Sequence, residues 1–317
     1  MDGISNLLVR IGLLVRWLLD EAAALAGAAW SVLDRVLNPV LSPVLRVVNP
    51  VCTAVADVVY AALSPLPIWA GLTLISLVGG VILLLVFRAT SNQKAIGAAK
   101  DAMKANLLAL KLYKDEIRVT FVAQWRLLKA IGRLQYHMLR PLLIMLFPML
   151  LVLAQMGVRY QWRPLESGEQ TVIKVQLADT VTDEQAADSV LTIPDGGADV
   201  EVGPVPGGGE AAFRIKALTP GTHVMRLDIA GTAIEKELVI GTQLERVSPE
   251  RVSGQWTAQI LQPVESVLPA DGPVRAIIID YPARDSWFHG ADWWILTFFI
   301  LSMIAALIFA PIFKVRF

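Results

Sequence analysis

Residues 88–148 read RATSNQKAIGAAKDAMKANLLALKLYKDEIRVTFVAQWRLLKAIGRLQYHMLRPLLIMLFP, and the rest of the chain is laid out around them. An uncharged apolar run, 69–87, ends at Arg88, and another apolar run opens at Pro141. Between the two lie about fifty residues without a proline, rich in basic side chains. Lys94, Lys100, Lys104, Lys111, Lys114, Arg118, Arg126, Lys129 and Arg133, flanked by Arg88 and Arg140, face only Asp101, Asp115 and Glu116. Basic residues close to span ends stay on the cytoplasmic side, so this loop is expected inside.

Composition agrees with a membrane protein that carries a soluble part. Of the 317 residues 55% are hydrophobic, the mean hydropathy is +0.56 and the formal net charge is zero. That zero hides a split, because residues 159–291 hold 19 Asp and Glu against 11 Lys and Arg. Cys52 is the sole cysteine, which excludes an intrachain disulfide and a cysteine-based metal cluster.

Within the loop, Ile96, Met103, Leu107, Leu110, Ile117, Phe121, Leu128 and Ile131 recur at three, four or seven residues, the stripe of a helix approaching a heptad seam. One straight helix to residue 139 would end about 70 Å from its start, yet Arg140 must be back at the membrane. An antiparallel hairpin or coiled coil over 89–140, turning at 111–116, solves this. Span 1 covers 67–88. There Gly71, Gly79 and Gly80 either let a neighbouring helix come close or reflect the ordinary glycine content of membrane helices. Span 2, 141–158, carries Pro141, Pro148 and Gln155, whose freed carbonyl and amide call for partners away from lipid. A third span, 292–313, follows Trp287 and Trp293 on the outside and precedes Lys314 and Arg316 inside.

The first 66 residues are apolar but interrupted by Arg10, Arg16, Asp20 and Glu21. A cleaved signal and a full span are weaker readings than helices lying in the interface, broken at Pro39, Pro43 and Pro50, with Asp34, Arg35, Arg46 and Asp57 on the wet side. The N-terminus is then outside and the C-terminus cytoplasmic.

Residues 159–288 change character. Runs at 171–178, 211–217, 222–229 and 232–240 alternate with period two, and breaks fall at 204–209, 219–221 and Ala230-Gly231. They predict an extracytoplasmic all-β, immunoglobulin-like sandwich centred on 165–242. Two shorter runs, 255–261 and 274–281, either complete the sheet or lie on the membrane. The expected fold class is thus a membrane α-helical protein of three spans with a cytoplasmic hairpin plus this sandwich.

Catalytic constellations are missing from the pattern. His137, His223 and His289 are scattered, no nucleophile elbow or phosphate loop occurs, and Asp195-Gly196-Gly197 and Gly207-Gly208-Gly209 read as turns. An enzyme, a metal or another cofactor is therefore not expected. Arg88, Arg140 and Gln155 are the candidate polar groups among the spans, either lining a wet groove or, for the arginines, snorkelling to headgroups.

Taken in order, these parts resemble the YidC/Oxa superfamily of membrane protein insertases. The residues that carry the likeness are 37–47 before span 1, Arg88 followed by Asn92-Gln93-Lys94, and Arg140-Pro141-Leu142-Leu143-Ile144 with Pro148. They cover about residues 37–158. The resemblance implies an insertase-like or chaperone-like factor of a bacterial cytoplasmic (inner) membrane, with a polar groove in which Arg88 receives polar parts of an inserting segment. Its partners would be the lipid bilayer, nascent membrane proteins and the ribosome. The alternative from the residues alone is a membrane adapter, whose sandwich binds an extracytoplasmic partner while the basic coiled segment binds a cytoplasmic one.

Overall fold

The computed structural model describes residues 2–112, 116–254 and 256–315. Helix α1, Asp2–Leu63, is one element of 62 residues and runs through Pro39, Pro43 and Pro50. The expected breaks are therefore corrected. Each proline removes one backbone donor and crowds the carbonyl a turn earlier. Apolar helices tolerate this where neighbouring groups take up the freed polar atoms, and the proline face of α1 lines a cleft described below.

The helices α2 (Ile68–Thr90), α3 (Gln93–Leu112) and α4 (Ile117–Tyr160) follow. Asn92 caps α3 by accepting the Ala95 N–H at 3.0 Å. Helices α3 and the first half of α4 pack as the anticipated hairpin. Its turn falls between Leu112 and Ile117, and residues 113–115, within the turn placed at 111–116, lie outside the described residues.

Among the described residues, three helical stretches are long and apolar enough to cross a membrane: Asp34–Leu63, Ile68–Thr90 and Thr120–Tyr160. The second and third contain the expected spans 1 and 2. The first belongs to the segment expected to lie in the interface, and its exposed side is apolar. Val36, Val40, Val44, Val47, Val51, Val55 and Val58 form one stripe of exposed valines. A helix resting between water and lipid would turn polar side chains outward. Here Asn49 and Thr53 are buried, and Asn38, Ser42 and Asp57 bond to other parts of the protein, as the site below shows. The expected third span appears as α7, Trp294–Phe309, a shorter apolar helix.

Helices α2 and α7 run side by side in parallel. Leu72 packs with Trp294 and Phe298 at one end, and Leu84 packs with Ala310 and Val315 at the other. Between them a Cβ built on Gly80 would stand 2.3 Å from the Ser302 carbonyl oxygen. Only glycine permits so close an approach, so of the two roles open to Gly80 the structure shows the packing one.

The β region contains two antiparallel sheets. Strands β1 (Gln170–Leu177), β3 (Ala198–Gly207), β4 (Glu210–Ala217), β7 (Glu250–Val252) and β8 (Val274–Ile279) form one, in the order β3-β4-β1-β8-β7. Strands β2 (Val190–Thr192), β5 (Gly221–Ile229) and β6 (Thr232–Ile240) form the other, in the order β2-β5-β6. A short helix, α5 (Asp183–Ala187), links β1 to β2 and opens with a Thr182–Gln185 capping box. Alternate residues meet in one core: Ile173, Val175, Phe213 and Ile215 from the first sheet, Met225, Leu227, Leu238 and Ile240 from the second. The β5–β6 register closes at Ile229↔Thr232 around Ala230 and Gly231, with φ of 47° and 74°, which makes the break expected there a two-residue turn of the primed kind.

Two expectations for the β region change. Pro204 and Pro206 lie inside β3 rather than in a break, which works because β3 is an edge strand whose outer donors need no partner strand. The run at 255–261 is helical, α6 (Trp256–Leu261). A short apolar run carries too few residues for its period to tell strand from helix, and here neighbours in sequence, Gln259 and Ile260, are both buried.

Candidate functional site

The site lies on α1. Opposite its valine stripe, Asn38, Ser42, Asn49, Thr53 and Asp57 follow at intervals of four and seven residues, which places them along one face. Every one of them has a partner from elsewhere in the fold. Asn38 Oδ1 accepts the Trp256 backbone N–H at 3.2 Å, and Ser42 Oγ accepts Gln259 Nε2 at 3.1 Å. Asn49 Nδ2 donates to the Gln259 carbonyl at 2.6 Å, and Thr53 Oγ1 donates to the Pro263 carbonyl at 3.4 Å. Thr53 Oγ1 also accepts Gln155 Nε2 at 2.8 Å. Polar side chains on an otherwise apolar helix thus hold two things, α4 and the strap of residues 253–270.

Asp57 closes the row. Its Oδ1 takes Arg159 Nη2, and its Oδ2 takes Arg246 Nη1 at 2.8 Å. Arg159 is 2% exposed. Its Nη1 donates to the Gln155 carbonyl at 2.8 Å and to Gln155 Oε1 at 3.2 Å, and its guanidinium lies 4.5 Å from the Tyr60 ring centroid. A buried guanidinium loses its hydration, and only this number of acceptors makes it tolerable. Parallel packing follows from the pairs: Thr53 with Gln155 and Asp57 with Arg159 advance by four residues on each helix.

A second knot ties the strap to the β region. Lys236, 1% exposed, donates from Nζ to the Ser248 carbonyl at 2.5 Å, to Ser248 Oγ at 2.9 Å and to the Glu265 carboxylate. Glu265 Oε1 accepts the Glu237 N–H at 2.9 Å. Burial pulls the Lys236 ammonium below its usual range although Glu265 opposes this, and burial raises the Glu237 carboxyl.

Between strap and α1 opens a cleft of about 860 Å³. Asn38, Ser42, Arg46 and Asn49 line its helical wall together with Pro39, Pro43 and Pro50, and residues 263–270 line the other. Arg46 is exposed there, and among the described residues no carboxylate pairs with it. Asn49 is buried, and its Oδ1 has no hydrogen-bond donor. Among the described residues no group of three His, Cys, Asp or Glu side chains could hold a metal ion.

Of the residues singled out in the sequence, Gln155 belongs to this site, held by Thr53 and Arg159. Arg88 is exposed in the last turn of α2, and Arg140 is exposed on α4 about 22 Å below Gln155 along the axis. Pro141 is buried and Pro148 exposed, both inside α4. The fold does not bring Arg140 and Gln155 together. Missed in the sequence were Arg159, treated as a domain boundary, Arg46 and Asp57, assigned to the wet face of an interfacial helix, and the Lys236–Glu265 pair. The polar row at four-residue spacing on α1 was the available signal.

No known family model matches this sequence, and no curated protein does. Among solved structures, the chain is similar to domains 4 and 5 of the S-layer protein SbsC, at 14% identity over 25% of this chain and 47% of that one, with a TM-score of 0.21. It is also similar to domains 1–6 of surface layer protein SbsC, at 12% identity over 38% of this chain and 20% of that one, with a TM-score of 0.22. The chain spans less than half the length of these structures, and likeness at these scores carries no argument about fold or function.

Proposed function

We propose that the protein is an insertase-like or chaperone-like factor of a bacterial cytoplasmic membrane, the role implied by its resemblance to the YidC/Oxa superfamily. The observation that carries this is Arg46. It lies near the middle of Asp34–Leu63, on a helix whose opposite side is a stripe of exposed valines, and it opens into a cleft with Asn38, Ser42 and Asn49. A cation at that depth is costly in hydrocarbon and is kept where it faces a wet cavity or a polar partner. Such a cleft lowers the cost of holding a short polar segment inside the membrane, and no covalent chemistry is needed.

In this reading α1 crosses the membrane with residue 34 on the side of the basic hairpin. The N-terminal end is then cytoplasmic, not outside as the interfacial reading required. Helix α4 runs outward beside α1, the two-sheet region is an extracytoplasmic immunoglobulin-like sandwich, and α7 returns. The basic hairpin guides nascent chains or meets the ribosome, and Arg88 and Arg140 mark the inner ends of α2 and the membrane part of α4.

Photocrosslinking in cells tests the cleft, with a photoreactive residue at position 46, 49 or 88 and nascent membrane proteins as bait. Crosslinks to short translocating segments from 46 and 49, stronger than from 88, support the reading. Arg46→Ala should impair insertion more than Arg46→Lys, and equal activity of the two variants removes Arg46 from the mechanism. The adapter reading draws on the fact that Gln155 and Arg159 are already satisfied within the protein. It predicts crosslinks to one fixed partner instead.

A further inference from the structure

We infer that the strap enters the membrane from the side of the β region, so that α6 is a re-entrant segment with lipid hydrocarbon against its outer face. The inference rests on α1 and α4 crossing the bilayer, as in the function proposed above. Ile260 and Trp256 pack with Leu41, Leu45, Val48 and Cys52 of α1 and with Phe147, Leu150 and Leu151 of α4. Counted down α4 from Tyr160, Leu151 lies about 13 Å and Phe147 about 20 Å along the axis, near the middle of a hydrocarbon core about 30 Å thick.

Irregular backbone at such depth persists only where protein satisfies its polar groups. Three backbone groups of the strap meet that condition through α1. Asn38 accepts the N–H of Trp256, Asn49 donates to the carbonyl of Gln259, and Thr53 donates to the carbonyl of Pro263, which itself has no N–H to satisfy. The Gln262 N–H bonds within the segment to the Ala258 carbonyl at 2.8 Å. The exposed side chain of α6 is apolar, Leu261 at 64%, and Val47 and Val51 of α1 and Leu146 of α4 are exposed apolar residues on the helices that hold it. This also explains the direction of α1's polar row. Its donors and acceptors serve the backbone of the strap from the protein side, along the cleft.

The test places an environment-sensitive fluorophore on single cysteines in the full-length Cys52→Ala protein, reconstituted in phosphatidylcholine vesicles with brominated acyl chains. Leu261→Cys probes the strap, and Ala258→Cys repeats the probe one turn earlier. Val152→Cys, on exposed α4 surface, reports the membrane, and Val224→Cys, on exposed β5 surface, reports water. Strap labels quenched by the bromines to the same degree as position 152, and shielded from aqueous iodide unlike position 224, bear the inference out. Iodide quenching of both strap labels with bromine quenching at 152 overturns the re-entrant segment and leaves the spans standing. Absence of bromine quenching at 152 as well overturns both.

Discussion

Replacing Glu265 by glutamine tests how the strap is held. The substitution keeps the shape of the side chain and an oxygen for the Glu237 N–H, but leaves the Lys236 ammonium, 0% exposed in its side chain, without the carboxylate it is bonded to. Only the Ser248 carbonyl and hydroxyl remain as acceptors. Breaking one side of a buried ion pair costs about 3–5 kcal/mol, because the surviving charge stays desolvated. At roughly 3–5 °C per kcal/mol for a region of this size, the β region should melt about 10–25 °C lower. Tryptophan fluorescence melts of the full chain in lipid nanodiscs measure this, and limited proteolysis between residues 262 and 270 should accelerate in parallel. The control is Lys236→Met with Glu265→Gln, which removes the stranded cation and should recover most of the loss. A shift below about 1 kcal/mol for Glu265→Gln, the range of an exposed pair, refutes the argument.

Helix packing gives a second expectation: Gly80→Ala forces its Cβ onto Ser302 backbone and should cost about 1–3 kcal/mol, while Gly79→Ala, whose Cβ meets the Phe298 ring at 3.4 Å, is tolerated. Equal melting temperatures for the two would disprove the close α2–α7 contact. A third concerns pH. Burial raises the Glu237 carboxyl, so the folded state holds its proton to higher pH than the unfolded chain; stability therefore falls as pH rises from the usual carboxylate range through the raised value. Glu237→Gln should flatten that part of a stability profile measured between pH 4 and 7, and an unchanged slope counts against the burial argument. Topology supplies a fourth. Cysteines at 34 and 116 should label from the same side of the membrane and one at 208 from the other; labelling of 34 together with 208 would return α1 to the interface.

Much of the architecture is legible along the chain because it rests on local quantities. An uncharged run of about twenty residues predicts the helix 68–90, a heptad-like stripe predicts the α3–α4 hairpin, and period-two alternation predicts β1, β4, β5 and β6 nearly to the residue. Composition also separates the basic loop from the acidic β region without knowledge of any contact. Local rules misjudge α1. Three prolines read as breaks, although one helix runs through them, and the sequence cannot say which side of an amphipathic helix meets protein.

Tertiary structure alone decides that side. Asp57 meets Arg159, 102 residues away, and Asn49 meets Gln259, 210 residues away. Those partners turn the polar row of α1 inward and leave valines outside, reversing the usual order because the polar atoms have a buried backbone to serve. Only the structure also shows that 256–261 is a helix, with Gln259 and Ile260 both buried. Hydrophobic period and charge determined which segments form helices, strands and hairpins; pairing across long separations determined where the polar site lies.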